Sequence, residues 1–192
     1  MLNKYMNISE ISEAIEFCLN EGEVFEIKKE DFFFRKGEVS KYIGYIQEGA
    51  FRTIDYTSAG KQQIVGYSFQ GEFVADYATF QSHAPTLVYT QAINDSIVYA
   101  ITKEQLKRFV DDNKDIHLLR KFEENMLLDI YGRLLSLYCD TPKERYMKII
   151  TQHSELLNMI SLKEIASFIK VTPETLSRIR REILKTNSSS NY

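Results

Sequence analysis

The stretch LKEIASFIKVTPETLSRIRR, Leu162 to Arg181, decides how the chain is organised. Its apolar positions Ile165, Ile169, Val171, Leu176 and Ile179 are spaced so that two short helices turn them to a common side. Ala166 is small enough to let the helices approach each other. Both helix starts are written out. Ser161 with Glu164 three residues on is a capping box, and Thr172-Pro173 sets a hydroxyl cap before a proline at the first helical position. Only Lys170 and Val171 lie between the first helix and the second cap, so the helices cross steeply and share a small core. Lys170 stands where such turns often carry glycine, and it takes the turn only with some strain. The pattern predicts a helix-turn-helix.

The second helix of such a pair enters the DNA major groove by its N-terminal end. Its outward residues here are Glu174, Thr175, Ser177, Arg178 and Arg181. Arginine pairs bidentately with guanine, and glutamate accepts from the amino group of cytosine. Thr172 and the free amides of the helix start suit a phosphate. Lys163, Lys170 and Lys185 are placed to meet further phosphates. Charge agrees with this. Residues 140–192 carry 9 basic and 6 acidic side chains, a balance of +3, while residues 1–139 carry 15 and 21, a balance of -6. Double-stranded DNA is the expected partner.

Upstream, Thr141-Pro142-Lys143-Glu144 starts another helix by the same cap and proline. Before it, IHLLRKFEENMLLDIYGRLLSLYCD (116–140) reads as one long helix. Leu119, Phe122, Met126, Ile130, Leu134 and Leu137 step by three or four along it, and Leu127, Tyr131, Leu135 and Tyr138 form a second row. One row can dock on the chain's own core, and a second copy would cover the other. Leu119, Met126, Ile130, Leu134 and Leu137 are the expected interface of a homodimer.

From about Val24 to Ile101 the texture differs. VFEIK, DFFFR, YIGYI, AFRTIDY, QQIVGYS, TLVYTQAI and SIVYAI are short runs rich in Val, Ile, Tyr and Phe, separated at several points by RKGE, QEGA, SAGK and FQGE turns. Such spacing predicts an antiparallel barrel or sandwich. A short amphipathic helix precedes it at NISEISEAIEFCLN, and KEQLKRFVDDN forms another after it. The predicted fold class is α+β: an N-terminal antiparallel β-roll or jelly-roll barrel over 1–113, a long dimerisation helix over 114–139, and an all-α helix-turn-helix domain over 140–192.

Several function classes are disfavoured. No apolar run approaches a membrane span, and MLNKYMNISEISEAIEF is acidic where a signal peptide needs an apolar stretch, so a cytoplasmic chain without membrane contact is expected. Cys18 and Cys139 are far apart, which suits buried structural thiols rather than a metal or iron–sulfur site. An enzyme built on a cupin-like barrel needs clustered ligands, whereas His83, His117 and His153 fall on three different elements. No phosphate loop, HExxH or Ser-His-Asp arrangement is visible. A sensor or oligomerisation module without DNA would not need Glu174, Ser177 and Arg178 on one exposed face.

The order β-barrel, long helix, helix-turn-helix resembles the CRP/FNR regulators. EIASFIKVTPETLSRIRR is similar to their DNA-reading segment, and Glu174-x-x-Ser177-Arg178 matches the E-x-x-S-R of the FNR branch. The resemblance implies that Glu174, Ser177 and Arg178 read bases in each half of a palindrome bound by a homodimer, with RNA polymerase as a further partner. Family members usually follow the reading helix with a small β-wing. This chain runs instead into NSSSNY, and the wing is expected to be absent. In members that bind cyclic AMP, a strand–turn–helix holds the phosphate with backbone amides and an Arg-Ser pair, and a Glu takes the ribose. The equivalent stretch here, GEFVADYATFQSHAPTLVYTQA, has Asp76 in the Glu position, Ala75 where glycine is usual, and Thr86 and Leu87 in the Arg-Ser positions. Without that arginine a buried phosphate is poorly compensated, so cyclic AMP is not the expected effector. The cysteine cluster of the fumarate–nitrate regulators is missing as well. No cofactor is assigned. What remains is a pocket for an unidentified small effector, with Asp76, Tyr77, Thr86, Leu87 and Tyr131 as its residues and His83 and Tyr89 nearby; for His83 a plain loop position beside Pro85 is the preferred reading.

Overall fold

The computed structural model of the chain describes Met6 and residues 11–113, 116–152 and 156–189. His153, the stretch before Ile11 apart from Met6, and residues 190–192 lie outside the described residues. The chain divides into two compact units within its longest helix, one running to Leu127 and the other from Leu128 onward.

The first unit opens with α1 (Ile11–Glu21), then passes through β1 (Glu23–Ile27), β2 (Phe32–Phe34), β3 (Tyr42–Glu48), β4 (Ala50–Tyr56), β5 (Gln62–Phe69) and β6 (Phe73–Val74). After α2 (Tyr77–Ser82) come β7 (Tyr89–Ala92), β8 (Ser96–Thr102) and α3 (Lys103–Asn113). All pairings are antiparallel. One sheet has the order β1-β8-β3-β6, the other β2-β7-β4-β5. Alternation sets the register. Gly44 sits opposite Ala100, Phe25 opposite Val98 and Phe51 opposite Ala92, so one side of each strand faces the interior. Ile46, Phe51, Val74, Ala92, Val98 and Ala100 meet there as one buried cluster. Each large apolar side chain removed from water in this way stabilises the fold by about 1.5–3 kcal/mol.

The seven apolar runs of the sequence each contain a strand, and the glycines of all four turns have positive φ. Gly49, between β3 and β4, shows why the residue matters. Its φ is 95°, and a Cβ would stand 2.1 Å from Ser96 Oγ. Periodicity alone did not separate out β6 and α2, which have two and six residues and are too short to show a period.

A second cluster lies on the helical side of this unit. Cys18, Ile43, Phe73, Tyr77, Phe80, Ile101, Phe109 and Leu118 are buried together, with Phe122 and Met126 packed against them. Burial pushes the Cys18 thiol up to about 12, as expected of an inert structural thiol. Cys139 is exposed, contrary to the expectation that both thiols are buried. It ends the long helix, where no core reaches it.

That helix is α4 (Ile116–Cys139). Two side-by-side rows were expected on it, one docked and one free. The division runs lengthwise instead. Leu119 and Met126 are half-buried and lean on the first unit's own core. From Leu127 on, both rows are exposed, including Ile130, Tyr131, Leu134, Leu135, Leu137 and Tyr138. The reason is reach: the core that covers the helix at Leu118 ends before its second half.

The second unit continues with α5 (Pro142–Gln152), α6 (Leu156–Met159), α7 (Leu162–Phe168) and α8 (Pro173–Ser189). Its buried side chains include Tyr146, Ile149, Ile160, Ile165, Ala166, Ile169, Leu176 and Ile179. The tail after the arginines is not all irregular, because α8 continues through Asn187 and Ser188 to Ser189.

Candidate nucleic-acid interface

The caps fix the start of every helix that matters here. Thr141 N–H donates to Glu144 Oε2 at 2.7 Å, and Glu144 N–H returns a bond to Thr141 Oγ1 at 3.3 Å. Ser161 and Glu164 form the same reciprocal pair at 2.9 and 3.2 Å. At the start of α8, Thr175 N–H donates to Thr172 Oγ1 at 3.2 Å. Each bond satisfies an amide that a helix start would leave without a partner.

The turn between α7 and α8 closes on Lys170 in the left-handed region, φ 62°. Lys170 N–H reaches Ser167 O at 3.1 Å, and Val171 N–H reaches Ala166 O at 2.9 Å, the pair of bonds that ends a helix with a left-handed residue. A lysine there accepts strain that glycine would not. Ile165 and Ala166 are fully buried at the crossing, with Leu176 and Ile179 facing them from α8. Val171 is only half-buried, because it follows the turn instead of entering the core.

With that side spent on the core, the opposite side of α8 is open. Glu174, Ser177, Arg178 and Arg181 are exposed, as is Thr172 before them, and Thr175 is half-buried. Lys163, Lys170 and Lys185 are exposed as well. The arrangement brings two arginines, a glutamate and two hydroxyls onto the first turns of one helix, close to its N-terminal amides.

Of the residues proposed for an effector, four lie in the first unit. Asp76 and Leu87 come together, since Asp76 Oδ2 accepts Leu87 N–H at 3.1 Å. Thr86 is buried beside them, and its hydroxyl donates to Arg35 O at 2.7 Å. Tyr77 turns to the helical side, where its hydroxyl donates to Glu123 Oε1 at 2.9 Å and accepts from Gln81 Nε2 at 2.7 Å. Burial is the main cause that raises its phenol above the ordinary range. Tyr131 belongs to the other unit and is exposed. His83 is an exposed left-handed residue closing α2, so the loop reading of it fits. A cavity of about 50 Å³ lies in the helical cluster, with Phe17, Cys18, Phe73, Phe109 and Phe122 among its apolar walls. Among the described residues no His, Cys, Asp or Glu group is fit to hold a metal ion, and no helix is long and apolar enough to cross a membrane.

Residues 24–113 match the cyclic nucleotide-binding domain family. The cAMP-activated global transcriptional regulator CRP of Salmonella typhimurium is 19% identical over 192 residues, covering 93% of this chain and 90% of its own. The transcriptional activator protein anr of Pseudomonas aeruginosa is 24% identical over 165 residues, covering 80% and 67%. The structure of FixK2 from Bradyrhizobium japonicum superposes with a TM-score of 0.71 at 19% identity, covering 86% of each chain. In sequence and fold the chain is similar to CRP/FNR regulators. The first two of these relatives are transcription regulators by name.

Two of the polar groups at the expected effector site are already bonded within the chain. The amide at Leu87 is held by the chain's own carboxylate, and the Thr86 hydroxyl is committed to Arg35 O. Arg52, the nearest preceding arginine on a strand, is tied by Nη2 to Glu30 at 2.5 Å and by Nε to Gln91 Oε1 at 3.0 Å.

Proposed function

We infer that the chain is a DNA-binding transcription regulator that takes a two-fold symmetric operator as a homodimer. The observation that carries the reading is the exposed face of α8: Glu174, Ser177, Arg178 and Arg181 stand clear of a core formed by Ile165, Ala166, Leu176 and Ile179. Bases are read by Glu174, Ser177 and Arg178, with Thr175 and Arg181 beside them. Thr172, Lys163 and Lys170 meet phosphates and set the register. The dimer seam is the second half of α4, centred on Ile130, Leu134 and Leu137, whose exposed apolar side chains are costly to leave in water. RNA polymerase is the partner that a regulator seated on an operator engages or excludes. Cyclic AMP has no part in the reading. Any effector is a different small molecule held near Asp76, Thr86 and Leu87.

Selection from a random duplex library with the purified chain and no added ligand tests this. Enrichment of a two-fold symmetric motif is expected, with affinity falling steeply as salt rises. A chain that retains no fragment even at low salt is not a DNA-binding protein, and the reading fails.

A further inference from the structure

The last carbonyls of a helix have no donor within the helix and take one from elsewhere. Two such ends in the second unit are served by a single side chain. Arg145, in the first turns of α5, donates through Nη1 to Asp140 O at 2.6 Å, just past the end of α4. Through Nε it donates to Ile169 O at 2.9 Å, the C-cap of α7 and the residue directly before the left-handed Lys170. A guanidinium holds its donors in one rigid plane, so fixing one carbonyl fixes the direction of the other. A lysine at this place would reach one of the two and leave the other unserved.

The surroundings make the bridge stiff. The Asp140 carboxylate accepts from Lys148 Nζ at 2.5 Å and from Ser136 Oγ, and the Asp140 amide donates to Ser136 O at 3.1 Å. The carbonyl that Arg145 holds is therefore anchored to both α4 and α5. A second arginine acts on the same end of α7: Arg133 of α4 stands 5.9 Å from the centre of the Phe168 ring. Phe168 and Ile169 are consecutive, so the residues entering the turn are gripped from α4 and from α5 together. Neither arginine belongs to the exposed face of α8.

We propose that Arg145 is the positioning residue of the DNA-reading unit: by bridging the ends of α4 and α7 it sets the angle at which α8 is presented relative to α4. The proposal rests on the DNA-binding reading above. In a dimer joined along α4, that angle fixes the distance between the two reading helices and so the spacing of operator half-sites. Base choice within each half-site belongs to Glu174, Ser177 and Arg178 and is separable from spacing.

The test uses the full chain and the half-site that wild type selects, placed as inverted repeats at a series of separations. Wild type is expected to prefer one separation over its neighbours by about tenfold, equivalent to about 1.4 kcal/mol. Arg145→Ala is expected to flatten that profile to within about threefold while selecting the same bases in each half-site. Arg145→Lys, which retains the charge and one donor, falls between them. An Arg145→Ala chain that keeps the wild-type spacing profile overturns the proposal. So does one that binds more weakly by the same factor at every separation, since that is the signature of lost stability alone. Should Arg145→Ala not fold, Arg145→Lys decides: an unchanged profile overturns the proposal and a flattened one supports it. A wild-type chain that selects no symmetric motif is a failure of the DNA reading itself and removes the ground of the proposal with it.

Discussion

Arg178 is exposed on α8, two positions after the buried Leu176 and one before the buried Ile179. Its backbone is fixed by neighbours in the core while its side chain stays open to a partner. Arg178→Ala should therefore leave the melting temperature unchanged and cost specific binding about 1–3 kcal/mol, relaxing the choice at one base pair of each half-site. Competition binding with operators varied at each position checks this. Unchanged preference at every position would mean that Arg178 meets only phosphate. The pattern of the sequence placed this residue correctly on the open side, because a 3.6-residue period with buried Leu176 and Ile179 leaves Arg178 no other direction. Arg145 was not legible in the same way. It follows a capping box like many other helix-start residues, and only the meeting of three chain segments reveals what its guanidinium touches.

At the scale of elements, α4 carries the largest difference between expectation and structure. Spacing alone gave two apolar rows, and nothing in a periodic pattern says where along a helix the supporting core stops. The structure puts Leu119, Phe122 and Met126 on that core and leaves Ile130, Leu134 and Leu137 open. Ile130→Asp with Leu134→Asp should therefore give monomers by light scattering at little cost to the fold, since exposed positions tolerate substitution within about 0.5 kcal/mol. Intact dimers would move the seam to another face of the helix. The helix starts were read with more success, at Thr141, Ser161 and Thr172, because a cap is a contact between residues three apart and needs no tertiary information.

For the whole molecule, the region that matches the cyclic nucleotide-binding domain family has several of its polar groups bonded to one another. Asp76 bonds to Leu87, Thr86 to Arg35, and Arg52 to Glu30 and Gln91. Millimolar cyclic AMP should leave the melting temperature unmoved. A ligand at a hundred times its dissociation constant adds about 2.7 kcal/mol to the native state, an increase that thermal unfolding resolves readily. A clear rise would show that the phosphate displaces Asp76 from the Leu87 amide.

The sequence by itself determined seven of the eight strands, the turn glycines, the helix starts at Thr141, Ser161 and Thr172, and the inward and outward sides of the helix-turn-helix. Each of these is settled by residues a few positions apart, through sterics, caps and periodicity. Tertiary structure alone decided that Tyr77 points to Glu123 and not into a pocket with Asp76, and that Tyr131 lies in a different unit. It alone decided that α4 is covered at one end and bare at the other, and that Arg145 joins Asp140 to Ile169 across 29 positions of chain. Those contacts depend on which distant surfaces meet, and a local pattern does not encode where two folded surfaces come together.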